Sequence, residues 1–157
     1  MKYHLALATF GALTFLAIAI LGAGVRAETQ EAKRYEPQKV VYQNNGMEKE
    51  TVAYLQGLLR NLKNHVEAVG ADRIDIRVVN HGKGIVLLQS AAKDPEIAAK
   101  IDDLRAKGVR FLVCRNTLKR HNIDYHDLYG VKEEDLVPSG MAEIVRLQQQ
   151  GFIYVHP

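Results

Sequence analysis

The position of the single cysteine, Cys114, favours a reactive thiolate. Cys114 stands where the apolar run 109–113 gives way to the polar segment 115–121. This pattern predicts a buried strand that ends at Cys114 and turns at once into a short basic helix. The sulfur would then lie at the carboxyl edge of a sheet and near a helix N-terminus, where a thiolate is favoured.

Two interpretations of Cys114 follow from its surroundings. The cations Arg115, Lys119 and Arg120 come soon after it and would favour thiolate over thiol. Alternatively, a free cysteine at the end of a buried strand packs as a small core residue. A lone cysteine cannot form an intramolecular disulfide. In an oxidising compartment it must therefore be buried, form a disulfide with another molecule, or take part in the chemistry of the protein.

His81 is the second candidate for chemistry. It lies in a turn between Asn80 and Gly82, where it could assist a thiol as acid or base, or make one structural hydrogen bond. Lys83 follows between two glycines, Gly82 and Gly84, whose backbone amides could face an anion. This segment is too short to be a phosphate-binding loop.

A metal site would have to draw on Cys114, His121 and His126, which offer one sulfur and two nitrogens to zinc or copper. Their spacing matches none of the paired-ligand patterns, so we assign no metal and no cofactor. The sequence also lacks the Gly-x-Ser-x-Gly, dinucleotide-glycine and His-Glu-x-x-His motifs. These absences argue against hydrolase and dehydrogenase functions.

The predicted elements alternate between strand and helix. In chain order they are a strand at 39–43, a helix over 52–69, a strand at 74–79, a helix opened by Asp94 and Pro95, the strand into Cys114, a short helix over 116–121, a helix capped by Ser139, and a strand at 152–155. Strands separated by helices imply an α/β fold with a mostly parallel sheet covered on both faces.

In such a sheet the loops that follow the strands gather at one edge, where ligands bind. Three of these loops contain residues 43–45, 80–82 and 114–116. We therefore expect His81 and Cys114 to share one cleft.

Residues 1–27 differ in kind from the rest of the chain. Lys2 is followed by an uncharged apolar segment from Leu5 to Val25, and a small residue, Ala27, marks a cleavage point. This pattern is typical of an export signal, and an uncleaved membrane anchor is the alternative. Either interpretation places the folded part outside the cytosol, in the periplasm or otherwise exported.

The polar segment 28–38 is predicted to be a flexible leader, and residues 39–157 a single domain. The whole chain has a formal net charge of +3, from 21 basic and 18 acidic residues. Removing 1–27 takes away two basic residues and no acidic one, which leaves about +1. Nucleic acid is therefore not expected as a partner, and a membrane only through an uncleaved 1–27.

Residues 108–120 and 134–157 resemble the cysteine segment and the carboxyl-terminal end of an exported, stand-alone branch of the DsrE/DsrF-like family. The similarity extends over residues 38–157. It implies a three-layer α/β/α sandwich with about five strands, and a homo-oligomer or an assembly with relatives. In the sulfur-relay members a cysteine carries persulfide sulfur, and Cys114 occupies the matching strand-to-helix position.

The resemblance thus implies an exported sulfur carrier that acts through Cys114 on a donor or acceptor protein, by partner contact and not as a multi-turnover enzyme. The relay members work in the cytoplasm, whereas this chain carries an export segment, so donor and acceptor would have to share its compartment. The alternative is a non-catalytic, oligomeric interaction or small-ligand-binding module in which Cys114 is structural.

Overall fold

The computed structural model describes residues 34–46 and 51–157. The predicted export segment 1–27 and most of the predicted leader lie outside the described residues. Within them, no helix is long and apolar enough to cross a membrane. Five parallel strands form one sheet in the order β4-β3-β2-β1-β5. The strands are β1 (Gln38–Asn44), β2 (Ile74–Asn80), β3 (Arg110–Cys114), β4 (Leu136–Val137) and β5 (Ile153–Val155).

Five α-helices lie between these strands in the described part of the chain. They are α1 (Thr51–Val69), α2 (Val86–Ala91), α3 (Pro95–Ala106), α4 (Arg115–His121) and α5 (Gly140–Gln149), with 3-10 turns at Gly82–Ile85, Tyr125–Asp127 and Glu133–Asp135. The predicted caps are confirmed: Asp94 accepts from the N–H groups that open α3, and Ser139 accepts from Ala142 at the start of α5.

The topology explains why helices cover both faces. The chain steps from β1 to β4 in one direction, with α1, α2 and α3 packed on one face, and then returns through α5 to β5 at the opposite edge. Parallel crossovers are right-handed, so a connection that reverses direction must pass over the other face. The predicted α/β/α sandwich is confirmed.

The core has two parts because strand side chains alternate between the faces. Val40 and Tyr42 belong to the larger cluster, with α1 to α3, whereas Val41 lies between them on the α5 face. The α5 cluster consists of Val41, Val79, Leu112, Val137, Ile144, Leu147 and Phe152. The hydrophobic cluster on the face of α1 to α3 is thus the larger of the two.

Two segments gained their structure from tertiary context. β4 has only two residues, which pair with Val113 and Cys114 of β3, and no strand was predicted at this position. Residues 85–88, an apolar stretch of unassigned type, complete a 3-10 turn and begin α2. The predicted last strand is confirmed as β5, which lies at an edge of the sheet, beside β1.

A hydrogen-bonded histidine joins α1 to β1. His65 Nδ1 lies 2.8 Å from the hydroxyl of Tyr42, and His65 Nε2 lies 2.7 Å from the side-chain oxygen of Gln38. Because a carboxamide oxygen only accepts, Nε2 carries the proton and Nδ1 accepts from Tyr42. Burial lowers the pKa of His65 from its ordinary value, which favours this neutral form.

Candidate functional site

The carboxyl edge of the sheet is fixed by two buried asparagines. Asn44 and Asn80 pair across β1 and β2, and both have 0% exposure. The Asn44 amide donates to Asn80 Oδ1 at 2.8 Å and to the Gly84 carbonyl at 3.0 Å, and the Asn80 amide donates to the Leu112 carbonyl at 3.0 Å. The ends of three neighbouring strands are therefore tied together, which aligns the loops that follow them.

Cys114 is the last residue of β3 and the N-cap of α4, as predicted, and it is only 5% exposed. The Thr117 hydroxyl and the backbone N–H groups of Asn116, Thr117 and Gly140 surround its sulfur as hydrogen-bond donors that favour the thiolate. Burial is the largest single influence on the pKa of the thiol and raises it, because a buried thiolate loses hydration. The hydrogen bonds together outweigh burial, so the pKa of the Cys114 thiol is lowered from its ordinary value.

The cause of this lowered pKa differs from the one predicted. Arg115 forms an ion pair with Glu133 of the 3-10 turn Glu133–Asp135, and the side chains of Lys119 and Arg120 are exposed to solvent. None of the three cations is among the groups that lower the pKa of Cys114. The prediction that they activate the thiol was wrong, because the backbone at the start of α4, and not its cationic side chains, faces the sulfur.

Thr117 links the thiol to the loop after β2. Its hydroxyl oxygen accepts from the backbone N–H of Gly82 at 2.9 Å, and the same hydroxyl group lies beside the sulfur of Cys114 and favours the thiolate. A hydroxyl group can accept and donate at the same time. The polarised chain Gly82 N–H, Thr117 O–H, Cys114 sulfur is one of the contacts that stabilise the thiolate.

Gly140 is the point where His81 and Cys114 meet. A Cβ atom placed on Gly140 would lie 2.9 Å from His81 Cβ and 3.3 Å from Cys114 Cβ. The structure therefore brings the two predicted residues together on either side of the first residue of α5. The absence of a side chain at position 140 lets its N–H approach the sulfur.

His81 is half-buried and takes part in a side-chain network. Its Nε2 lies 2.9 Å from the amide nitrogen of Gln43, and the hydroxyl of Tyr154 donates to the side-chain oxygen of the same glutamine. Burial, and second the positive charge of His156, lower the pKa of His81 from its ordinary value. Both influences favour the neutral imidazole of His81.

Other candidate groups from the sequence, for anion and metal binding, make hydrogen bonds within the protein. The backbone N–H of Gly82 donates to Thr117, and that of Gly84 donates to the carbonyl of His81 at 2.9 Å, so both glycine amides are already engaged. His126 Nδ1 lies 2.6 Å from the Asp124 carboxylate. Among the described residues, no group of three or more His, Cys, Asp or Glu side chains could hold a metal ion.

Sequence reasoning missed the partners of both candidates. Thr117 had a local signal, since it stands three positions after Cys114, the spacing at which an N-cap and its helix exchange hydrogen bonds. Gly140, Tyr154 and Met141 had none, because they are distant in sequence from the residues that they contact.

Comparisons with known proteins agree with this fold. A model of the DsrE/DsrF-like family matches residues 3–157. The structure is similar to that of MTH1491, a protein of unknown function from Methanobacterium thermoautotrophicum, with 31% identity, coverage of 76% of this chain and 99% of the other, and a TM-score of 0.56. No curated protein matches. Since the family model spans nearly the whole sequence, this chain belongs to the DsrE/DsrF-like family.

Proposed function

We propose that this protein carries sulfur as a persulfide on Cys114. The observation that supports the proposal is the set of hydrogen-bond donors around a buried sulfur, from Thr117, Asn116 and Gly140, which lowers the pKa of the thiol despite burial. A structural cysteine needs no such donors, whereas a sulfur carrier must attack and leave as a thiolate. Family membership supports sulfur-relay chemistry in general.

The proposed step is an exchange between two sulfur atoms. The Cys114 thiolate attacks the outer sulfur of a donor persulfide, a new sulfur–sulfur bond forms at Cys114, and the donor leaves as a thiolate. In the second step an acceptor thiolate attacks the outer sulfur, and the Cys114 thiolate is the leaving group. Electrons balance in each step without an external oxidant, and the donors around Cys114 stabilise the same charge in both directions.

The test is sulfur uptake followed by mass spectrometry. The protein is mixed with an alkyl hydropersulfide, freed of excess reagent, and measured intact. We expect a gain of one sulfur atom, which peptide mapping locates on Cys114. A reducing thiol should remove this sulfur again. The matched variant Cys114→Ala should gain nothing. Absence of uptake by the folded wild type, or equal uptake by both proteins, would contradict the proposal.

Export is part of the proposed function. Residues 1–27 have the pattern of an export signal, and a persulfide is transferred only between proteins that share a compartment. We expect the exported protein to begin after Ala27. Sequencing of its N-terminus after cell fractionation checks this, and an intact N-terminus on soluble cytosolic protein would contradict it.

A second candidate function is an oligomeric interaction module with a structural cysteine. Low exposure of Cys114 favours it, as does the edge strand β5, where Ile153 is 64% and Tyr154 is 42% exposed. An exposed apolar edge invites strand pairing. We propose that β5 pairs with a second copy, so Ile153→Lys should shift the protein from oligomer to monomer in light scattering. A wild-type monomer at micromolar concentration would contradict the pairing.

A further inference from the structure

The amide of Gln43 has a defined orientation. Its nitrogen lies 2.9 Å from His81 Nε2 and 4.0 Å from the sulfur of Met141, and its oxygen accepts from the hydroxyl of Tyr154. A phenol can donate or accept, so Tyr154 alone would permit either orientation of the amide. A thioether sulfur only accepts, so the contact with Met141 places the NH2 group on the side of His81.

This orientation fixes the tautomer of His81. Because the Gln43 amide donates to Nε2, that nitrogen must be unprotonated, and the proton of the neutral ring is on Nδ1. The lowered pKa of His81 is consistent with a neutral ring. Nδ1 is bonded to Cγ, and His81 Cγ lies 3.3 Å from the Cβ position of Gly140, the same point that Cys114 Cβ approaches within 3.3 Å.

We propose that Gln43 is a positioning residue that holds His81 as the Nδ1-protonated imidazole, so that His81 serves the sulfur site as a hydrogen-bond donor and not as the base that ionises Cys114. This inference rests on the proposed function. The base role is unnecessary, because Thr117 and the backbone already stabilise the thiolate. A neutral donor suits an anionic sulfur ligand, either a perthiolate donor or the persulfide anion formed on Cys114.

In the exchange step His81 transfers no proton. Its N–H stabilises the negative charge on the outer sulfur, while the sulfur–sulfur bond moves between Cys114 and the partner thiol. The substrate class is therefore a negatively charged persulfide, and a neutral sulfur compound of equal size would gain nothing from His81. Gln43 acts through His81 alone, and Tyr154 in turn holds the oxygen of Gln43.

The first readout is the protonation of each imidazole nitrogen, measured by nitrogen-15 NMR at pH 8.5, where the ring is neutral. We expect His81 to be protonated on Nδ1. His65 is the control within the same spectrum, because Gln38 and Tyr42 give it the opposite tautomer, with the proton on Nε2. In Gln43→Glu a carboxylate can only accept, so His81 should move its proton to Nε2 while His65 stays unchanged.

The second readout distinguishes a hydrogen-bond donor role of His81 from a role as the base that ionises Cys114. In His81→Gln, the ultraviolet titration of the Cys114 thiolate should keep its midpoint, while loading from an anionic alkyl hydropersulfide slows on the order of tenfold. A wild-type His81 protonated on Nε2, or no change in tautomer in Gln43→Glu, would overturn the assignment even if sulfur uptake is normal. A raised thiolate midpoint in His81→Gln would make His81 the base. If Cys114 takes up no sulfur while the tautomer is as expected, the proposed function fails and the donor role of His81 fails with it, whereas the assignment of the tautomer by Gln43 stands.

Discussion

Replacing Gly84 by alanine is expected to lower the free energy of unfolding by about 3 kcal/mol or more. A Cβ atom at position 84 would lie 2.0 Å from the backbone oxygen of Asn44 and 2.6 Å from its carbonyl carbon. Neither atom belongs to a flexible side chain, so the loops after β1 and β2 must separate. The Asn44 amide also donates to the Gly84 carbonyl, and this hydrogen bond would be disturbed.

The matched control for Gly84→Ala is Gly57→Ala in the interior of α1. There the nearest atom to the new Cβ is the end of the flexible Arg60 side chain, at 4.0 Å. Alanine is a better helix former than glycine, so this variant should be more stable than the wild type by about 0.5–1 kcal/mol. Urea unfolding of the three proteins measures both changes, and a Gly84→Ala variant within 1 kcal/mol of the wild type would refute the close contact.

Thr117→Val is expected to reduce the thiolate population of Cys114 at neutral pH on the order of tenfold, since one hydrogen bond to a charged sulfur is lost. Valine has nearly the shape of threonine but can neither donate to the sulfur nor accept from Gly82. The sign follows from the lowered pKa: removing a group that favours the anion raises the pKa of the thiol. Titration of the thiolate absorbance from pH 5 to 10 measures the shift and does not require access of a reagent to the buried sulfur.

The control for Thr117→Val is Thr117→Ser, which keeps the hydroxyl and should titrate close to the wild type. The valine variant is also expected to lose some stability, about 1–3 kcal/mol, because the N–H of Gly82 is left without its acceptor. Equal thiolate midpoints in all three proteins would show that Thr117 does not stabilise the anion. A raised midpoint in both variants would point to packing instead.

The sequence was sufficient for the fold class because most of its signals were local. Strands of β-branched residues, the Asp94–Pro95 and Ser139 caps and the strand that ends at Cys114 each depend on neighbouring residues. The placement of His81 and Cys114 at one edge followed from a general property of parallel sheets. That property did not predict that His81 and Cys114 would both lie against Gly140.

What the sequence could not provide was the environment of each side chain. Charges near Cys114 in sequence suggested activation by Arg115, yet that side chain pairs with Glu133, and the donors come from Thr117 and from Gly140, the latter distant in the chain. β4 was missed because two residues carry no periodicity, and their strand character comes from pairing with β3. For His81 the sequence left an acid–base role and a structural hydrogen bond open, because the tautomer of the ring depends on its contact with Gln43.

Helix α5 and strand β5 come last in the chain, so part of the surroundings of Cys114 and Gln43 is completed last. Gly140 at its start supplies one of the N–H donors to Cys114, and the strand that follows it brings Tyr154 to Gln43. Synthesis proceeds from the N-terminus, so Cys114 exists in the growing chain well before these groups do. A nascent chain therefore holds Cys114 before the N–H of Gly140 can lie beside its sulfur. The set of donors beside the sulfur is complete only after α5 has docked, which makes the fully lowered pKa of the Cys114 thiol a marker of completed folding.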